Sequence, residues 1–169
     1  GVLCDSFNGK WEKENLNLKP EYMDEFNALC EEIDLGKKSQ VDFYNLAARV
    51  ISKDPVEIST EMESDFTVNQ GLFELVKELK NKYKTAICSN SGAPFVNKMF
   101  QGKDLKLTDY FGDIFISSDI GLLKPDPKIF KFCAEKLGVD PSECVFIDDN
   151  RKNIDSAKSV GMTAYHFDD

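Results

Sequence analysis

The chain has 169 residues, 41% of them apolar and 30% charged, with a formal net charge of −9 and a pI near 4.7. That length suits one compact domain, or a core with a small inserted partner. The acidic balance excludes a binder of the nucleic-acid backbone or of an anionic membrane, both of which need a basic face. It leaves phosphate esters open, because a local cation and a metal ion can reverse the field inside a cleft.

The five cysteines, Cys4, Cys30, Cys88, Cys133 and Cys144, include no CxxC pair and are odd in number. Cys88, Cys133 and Cys144 sit in apolar runs, where a thiol acts as a small hydrophobe. A reducing, cytoplasmic setting is the expectation. No apolar stretch approaches the roughly 20 residues of a membrane span, and no signal-peptide pattern is present. The sequence opens on Gly1 rather than Met, so a longer natural chain is expected.

From about Ser6 to Asp65 the periodicity is helical. Tyr22, Phe26, Leu29, Cys30 and Ile33 share one face of a helix predicted over Glu21–Ile33. Ser39 stands as an N-cap before Val41, Phe43, Leu46, Ala47 and Val50, which repeat the spacing. Pro55 suits the first turn of a further helix through Ile58 and Met62. Trp11, Phe7 and the other aromatics of this segment read as bundle packing rather than as pocket lining.

After residue 68 the pattern changes to short apolar runs alternating with amphipathic segments. Helices are predicted over Leu72–Tyr83, Pro94–Phe100, Asp126–Leu137 and Asn150–Val160, the last two ended by Gly138 and Gly161. Strands are predicted over Thr85–Cys88, Ile114–Ser117, Cys144–Ile147 and Thr163–Phe167. Continuous apolar strands alternating with helices predict an α/β fold with a doubly wound parallel sheet covered on both faces. In such sheets ligands bind outside the carboxyl ends of the strands.

Those ends are polar. The first strand runs into Ser89-Asn90-Ser91-Gly92, where a hydroxyl and backbone N–H groups before a helix suit an oxyanion, although an ordinary turn has the same composition. The second leads to Lys124-Pro125-Asp126-Pro127; a lysine at this stiff corner is either a solvated loop residue or a point charge aimed at a phosphoryl oxygen. The third ends in Asp148-Asp149-Asn150, with Asn153 in the helix beyond. Adjacent carboxylates closing a buried strand need a cation or hydrogen bonds, and hard oxygen ligands at a rigid corner suit magnesium. The competing reading of Asp149 or Asn150 is a simple helix cap. Together the three ends compose a site for a phosphate and a divalent metal.

On these residues the chain resembles the haloacid dehalogenase-like (HAD) hydrolases. Ile87-Cys88-Ser89-Asn90 is similar to the second motif of that superfamily, Lys124-Pro125 to the third, and Phe146-Ile147-Asp148-Asp149 with Asn153 to the fourth. The stretch from Ser118 to Phe130 resembles phosphatases of subfamily IA with the Asp-Asp-x-x-x-Asn ending, among them sugar-phosphate phosphatases and the phosphatase domain of bifunctional epoxide hydrolases. The resemblance implies a Rossmann-type core over residues 1–5 and 69–169, with a small inserted helical cap over 6–68. It implies that Ser89 and Asn90 hold the phosphate and that Lys124 steadies both it and the nucleophile. Asp149, with Asp148 beside it as ligand or support, would hold Mg2+ as cofactor. The substrate implied is a small phosphorylated metabolite, hydrolysed through an aspartyl phosphate.

The pattern departs from the family at its start. The first motif, an aspartate-bearing strand ending in Gly-Val-Leu, would put the nucleophile just upstream of Gly1, and Asp5 follows that turn instead of preceding it. The absent strand is also the family's central one. Each buried ladder group left unsatisfied costs on the order of 1–3 kcal/mol against a total stability of about 5–15. The chain as it stands is therefore expected to be inactive and poorly folded. The alternatives are a 2-haloacid dehalogenase, which needs no metal, and a non-catalytic phosphate- or metal-binding module. A phospho-receiver domain has its acidic pair first and its lysine last, the reverse of the order here. His166, the lone histidine, reads as structural.

Overall fold

The computed structural model describes residues 1–4, 11, 15 and 20–168, with the side chains of Pro20 and Glu21 left aside; Asp5 and Phe7, singled out above, lie outside the described residues. Three helices open the main described segment: α1 (Pro20–Asp34), α2 (Gln40–Ile51) and α3 (Pro55–Ser64). Their starts are encoded locally. The Asp42 carboxylate accepts both the backbone N–H and the hydroxyl of Ser39 at 2.8 Å, closing the first turn of α2. Asp54 accepts from Val56 and Glu57 ahead of Pro55, whose missing N–H costs nothing at a first helical position.

These helices bury one face each against a shared core of Phe26, Ile33, Phe43, Leu46, Ile58 and Met62. Trp11 joins that core and donates its indole N–H to Glu61 Oε2 at 3.3 Å. Its place is in the packing of this core, as expected.

The remainder alternates as predicted: α4 (Gln70–Leu79), β1 (Ala86–Ser89), α5 (Ala93–Gln101), β2 (Asp113–Ile116), the single turn α6 (Ser117–Ile120), α7 (Pro127–Leu137), β3 (Val145–Asp148), α8 (Arg151–Ser159) and β4 (Thr163–His166). Gly121, at φ +69°, ends α6, and Gly138, at φ +64°, ends α7. The predicted strand over Ile114–Ser117 stops one residue short. Ser117 instead opens a helical turn, its carbonyl accepting from Gly121 N–H at 2.8 Å. The predicted helix over Leu72–Tyr83 ends at Leu79, where Lys82 and Tyr83 fold back onto the Leu79 carbonyl.

Both pairs of described strands are parallel, as the continuous apolar strands led one to expect, and an isolated antiparallel bridge joins Cys4 to Val68. β1 lies beside β2 with Ser89 opposite Ile116, and β3 beside β4 with Asp148 opposite His166. The described strands form two two-stranded sheets, β1–β2 and β3–β4, the two halves expected of a doubly wound parallel sheet without its central strand. β1 and β3 each have one strand neighbour, and no described strand bridges them.

Helix α7 is what holds the two ribbons in one body. Ile129, Phe130, Cys133 and Ala134 pack together with Phe115 of β2, Ala164 of β4 and Ile154 of α8, and Cys88 and Phe146 lean on the same cluster. The opposite face of β1–β2 is buried on α4 and α5 through Ile87, Ile116, Phe73 and Phe100. The opposite face of β3–β4 carries Val145, Ile147 and Tyr165 exposed. The carboxyl ends of β1 and β3 thus rest on a common apolar base, which brings the polar residues beyond them together. No described helix is long and apolar enough to cross a membrane.

Candidate active site

The corner after β1 is tied to the corner after β2 by one carboxamide. Asn90 Nδ2 donates to the Lys124 carbonyl at 2.8 Å, and the Lys124 N–H donates to Asn90 Oδ1 at 2.8 Å. This two-point clamp fixes the backbone of Lys124, whose peptide bond to Pro125 is cis. The side chain then crosses to the other ribbon, where Nζ lies 2.6 Å from Asp148 Oδ2 and 5.6 Å from the centre of the Phe146 ring. Lys124 and Asp148 are only 10% and 6% exposed, so their attraction is weakly screened.

Asp148 has no free oxygen. Its Oδ1 accepts from the Asn150 N–H and from Asn153 Nδ2, both at 2.8 Å. A buried carboxylate with a lysine on one oxygen and two donors on the other is fully satisfied. It acts as the fixed counter-charge that aims Lys124. Asn150 meanwhile caps α8, its Oδ1 accepting from Lys152 N–H, so the sequence-level cap reading holds for Asn150.

Asp149 is different. Its side chain is 51% exposed, and the Gly1 backbone nitrogen lies 3.5 Å from Oδ2. Its backbone carbonyl is held by His166, whose Nε2 lies 2.9 Å from it while Nδ1 lies 2.7 Å from Asp168 Oδ1. These approaches set His166 beside the backbone of this corner. Among the described residues no group of three potential metal ligands converges. One open carboxylate at a rigid corner still fits Mg2+, which characteristically keeps several waters and takes one or two carboxylates together with substrate phosphate.

The Ser89 hydroxyl is half-buried at the end of β1 and has no hydrogen-bond partner among the described residues, so it is available to a ligand. Beyond it, two serines that sequence reasoning passed over shape the loop. Ser117 Oγ accepts from the Ser91 N–H at 2.9 Å and donates to the Asp34 carbonyl at 2.6 Å; Ser118 Oγ accepts from the Ala93 N–H at 2.9 Å. Through the fully buried Ser117 the end of α1 is joined to the loop that follows Ser89 and Asn90.

The electrostatics follow the geometry. Burial pushes the Asp34 carboxyl up to about 6, while Lys124 pulls it down by a smaller amount. The Cys88 thiol is pulled below its ordinary value by a hydrogen bond with Cys133 and, less strongly, by Lys124, against the opposing effect of burial. Both shifts carry a contribution from the Lys124 charge.

Comparisons with known proteins bear on the chain as a whole. A 35% identical stretch of 99 residues links the chain to a CBBY-like protein of Arabidopsis thaliana, covering 55% of this chain and 30% of that protein. A D-ribitol-5-phosphate phosphatase of Bacteroides thetaiotaomicron is 33% identical over 92 residues, which cover 52% of this chain and 44% of that protein. The chain thus spans less than half the length of these curated relatives. In three dimensions it is similar to a HAD family enzyme of Bacteroides thetaiotaomicron, with a TM-score of 0.80 at 22% identity over 98% of this chain and 88% of that one. That enzyme has also been solved with magnesium and inorganic phosphate. The sequence profile of the haloacid dehalogenase-like hydrolases matches residues 9–161, and the chain belongs to that family.

Proposed function

We propose that this chain is part of a magnesium-dependent phosphomonoesterase for a small phosphorylated metabolite. The observation that carries the reading is the buried Lys124–Asp148 pair, clamped by Asn90, at the convergent ends of β1 and β3. A lysine held this firmly is a preorganised charge for a phosphoryl oxygen. The unpartnered Ser89 hydroxyl supplies a second donor to the same group. Asp149 is the residue that would hold Mg2+, which when bound neutralises charge on the phosphoryl oxygens. The helical unit of α1 to α3 serves in this reading as a cap that excludes bulk water and admits small molecules.

The nucleophile in this reading is an aspartate preceding Gly1, as the family resemblance implies. Its carboxylate oxygen forms a bond to phosphorus while the ester P–O bond breaks and the leaving alkoxide takes up a proton. Water then attacks phosphorus and releases the aspartate with inorganic phosphate. Support for a small substrate comes from the D-ribitol-5-phosphate phosphatase and from a flavin mononucleotide hydrolase of Arabidopsis thaliana, 32% identical over 107 residues. A cytoplasmic location belongs to the same reading, supported by the reduced thiols of Cys88, Cys133 and Cys144.

The test has two stages. The coding sequence upstream of Gly1 should specify an apolar strand ending in Asp-x-Asp or Asp-x-Gly. The full-length protein should then release phosphate from p-nitrophenyl phosphate and from a panel including ribitol 5-phosphate, only with Mg2+ present. A parent without that aspartate, or release of halide from a 2-haloacid in the presence of chelator, would replace this function with another.

A further inference from the structure

The single turn α6 stands between the helical unit and the loop that follows Ser89 and Asn90, touching both α1 and α5. Toward the helical unit, the Ser117 hydroxyl donates to the carbonyl of Asp34, the last residue of α1, at 2.6 Å. A carbonyl at a helix C-terminus has no donor within its own helix, and this bond supplies one. Beside it, Gly36, at φ +72°, comes so near that a Cβ there would meet the Ser118 carbonyl oxygen at 2.8 Å. Only glycine permits this approach, so the turn after α1 is seated on α6. Toward the loop, Ser117 Oγ accepts from the Ser91 N–H and Ser118 Oγ from the Ala93 N–H, both at 2.9 Å.

Ser117 has a further property. It is fully buried, and its one proton has two acceptors in reach: the Asp34 carbonyl at 2.6 Å and the Ser91 carbonyl at 3.3 Å. When α1 lifts, rotation about the Cβ–Oγ bond turns the proton to Ser91, and no buried donor is stranded. Such a joint costs little to open, whereas a buried hydroxyl with a single acceptor resists opening. The loop supplies both the N–H that orients Oγ and the competing carbonyl, so its geometry decides which acceptor the proton takes.

Resting on the reading of Ser89 and Asn90 as phosphate-holding residues, we propose that Ser117 is a positioning residue that couples the seating of the helical unit to occupancy of their loop. A phosphate held there fixes the backbone at Ser91. The Ser117 proton then stays on Asp34, and the end of α1 is held on the core. With the loop empty, the proton divides between the two carbonyls and the end of α1 opens more often. The coupling is reciprocal, so a seated helical unit in turn helps to hold the phosphate. Ser117 acts only through Ser91 and Asp34 and touches no reacting atom.

Hydrogen exchange read by mass spectrometry tests this on the full-length protein with Mg2+, with and without inorganic phosphate. Calorimetry on the same samples reports whether phosphate binds. In the wild type, phosphate should slow exchange at residues 89–93, and at residues 31–38 by about three- to tenfold, the scale of one hydrogen bond. In Ser117→Ala, phosphate should still bind and still slow 89–93, but the slowing at 31–38 should be lost. Gly36→Ala disturbs the same seat from the other side and leaves the hydroxyl in place. It should lose the slowing at 31–38 too, and it decides the matter where Ser117→Ala does not fold. A serine that only braces the fold would change exchange equally with and without phosphate, so the phosphate-dependent difference isolates the coupling. Undiminished slowing at 31–38 in either folded variant, or none in a wild type that binds phosphate, overturns the role of Ser117 and leaves the phosphate site standing. Failure of the wild type to bind inorganic phosphate overturns the phosphate site and this proposal with it.

Discussion

Lys124 Nζ lies 2.6 Å from Asp148 Oδ2, and the pair joins two ribbons that share no ladder hydrogen bond. A salt bridge so buried is weak evidence of net stabilisation, but removing one partner strands the other charge. Lys124→Ala should therefore destabilise the fold by about 3 kcal/mol, read from the urea midpoint at unchanged slope. Lys124→Ala combined with Asp148→Asn should recover most of that loss. Simple additivity of the two single effects would show that the stranded charge is not the cause. In the full-length enzyme, Lys124→Ala should also lower turnover roughly 10²–10³-fold.

Asn90 acts on the same lysine from behind. Its carboxamide satisfies both the N–H and the carbonyl of Lys124, so Asn90→Ala orphans two half-buried backbone groups. The expected loss is about 1–3 kcal/mol. Asn90→Asp should not rescue it, because the carboxylate keeps the acceptor but sets an oxygen against the Lys124 carbonyl. Equal stability of wild type and Asn90→Asp in urea would remove the clamp from the account.

The extent to which this site was legible follows from how local each signal is. Ser89 and Asp149 stand at the ends of short apolar runs, and that pattern alone placed them at strand ends, while Lys124 lies in the loop beyond β2 and the turn α6. Pro127 and Gly138 bracketed α7 within a residue because caps are set by neighbouring positions. What escaped were contacts made by the fold. Ser117 meets Asp34 across 83 positions and Asn90 meets Lys124 across 34, and nothing in the residues around either pair announces the partner. The role of Asp148 was only half visible, since a doublet of aspartates does not reveal which one the lysine takes. The division into two ribbons was argued from the family pattern rather than from periodicity, which shows strands but not their order.

Asp148 being fully engaged leaves Asp149 to meet a cation, and the two should separate experimentally. Asp149→Asn should raise the Mg2+ concentration needed for half-maximal activity by at least about tenfold. It should change stability by less than about 0.5 kcal/mol, because the side chain is half-exposed. Asp148→Asn should do the reverse, destabilising strongly by stranding Lys124. Similar Mg2+ dependence in wild type and Asp149→Asn would place the metal elsewhere.

Asp34 should leave a signature in the pH dependence of stability. Its ordinary value is 3.8 and its native value about 6. Between those values the folded state retains a proton that the unfolded chain has lost, so stability falls as pH rises through this window and this group adds no slope above it. The full shift corresponds to about 3 kcal/mol, which solvent screening at a half-buried carboxylate reduces to about 1–2. Asp34→Asn cannot ionise and removes the decline. The variant should gain about 1–2 kcal/mol on the wild type between pH 4 and pH 7, measured as the difference in urea unfolding free energies at each pH. All other titrating carboxylates are common to both proteins and cancel in that difference. A constant difference across the window would show that Asp34 is ordinarily ionised in the folded protein and faces water.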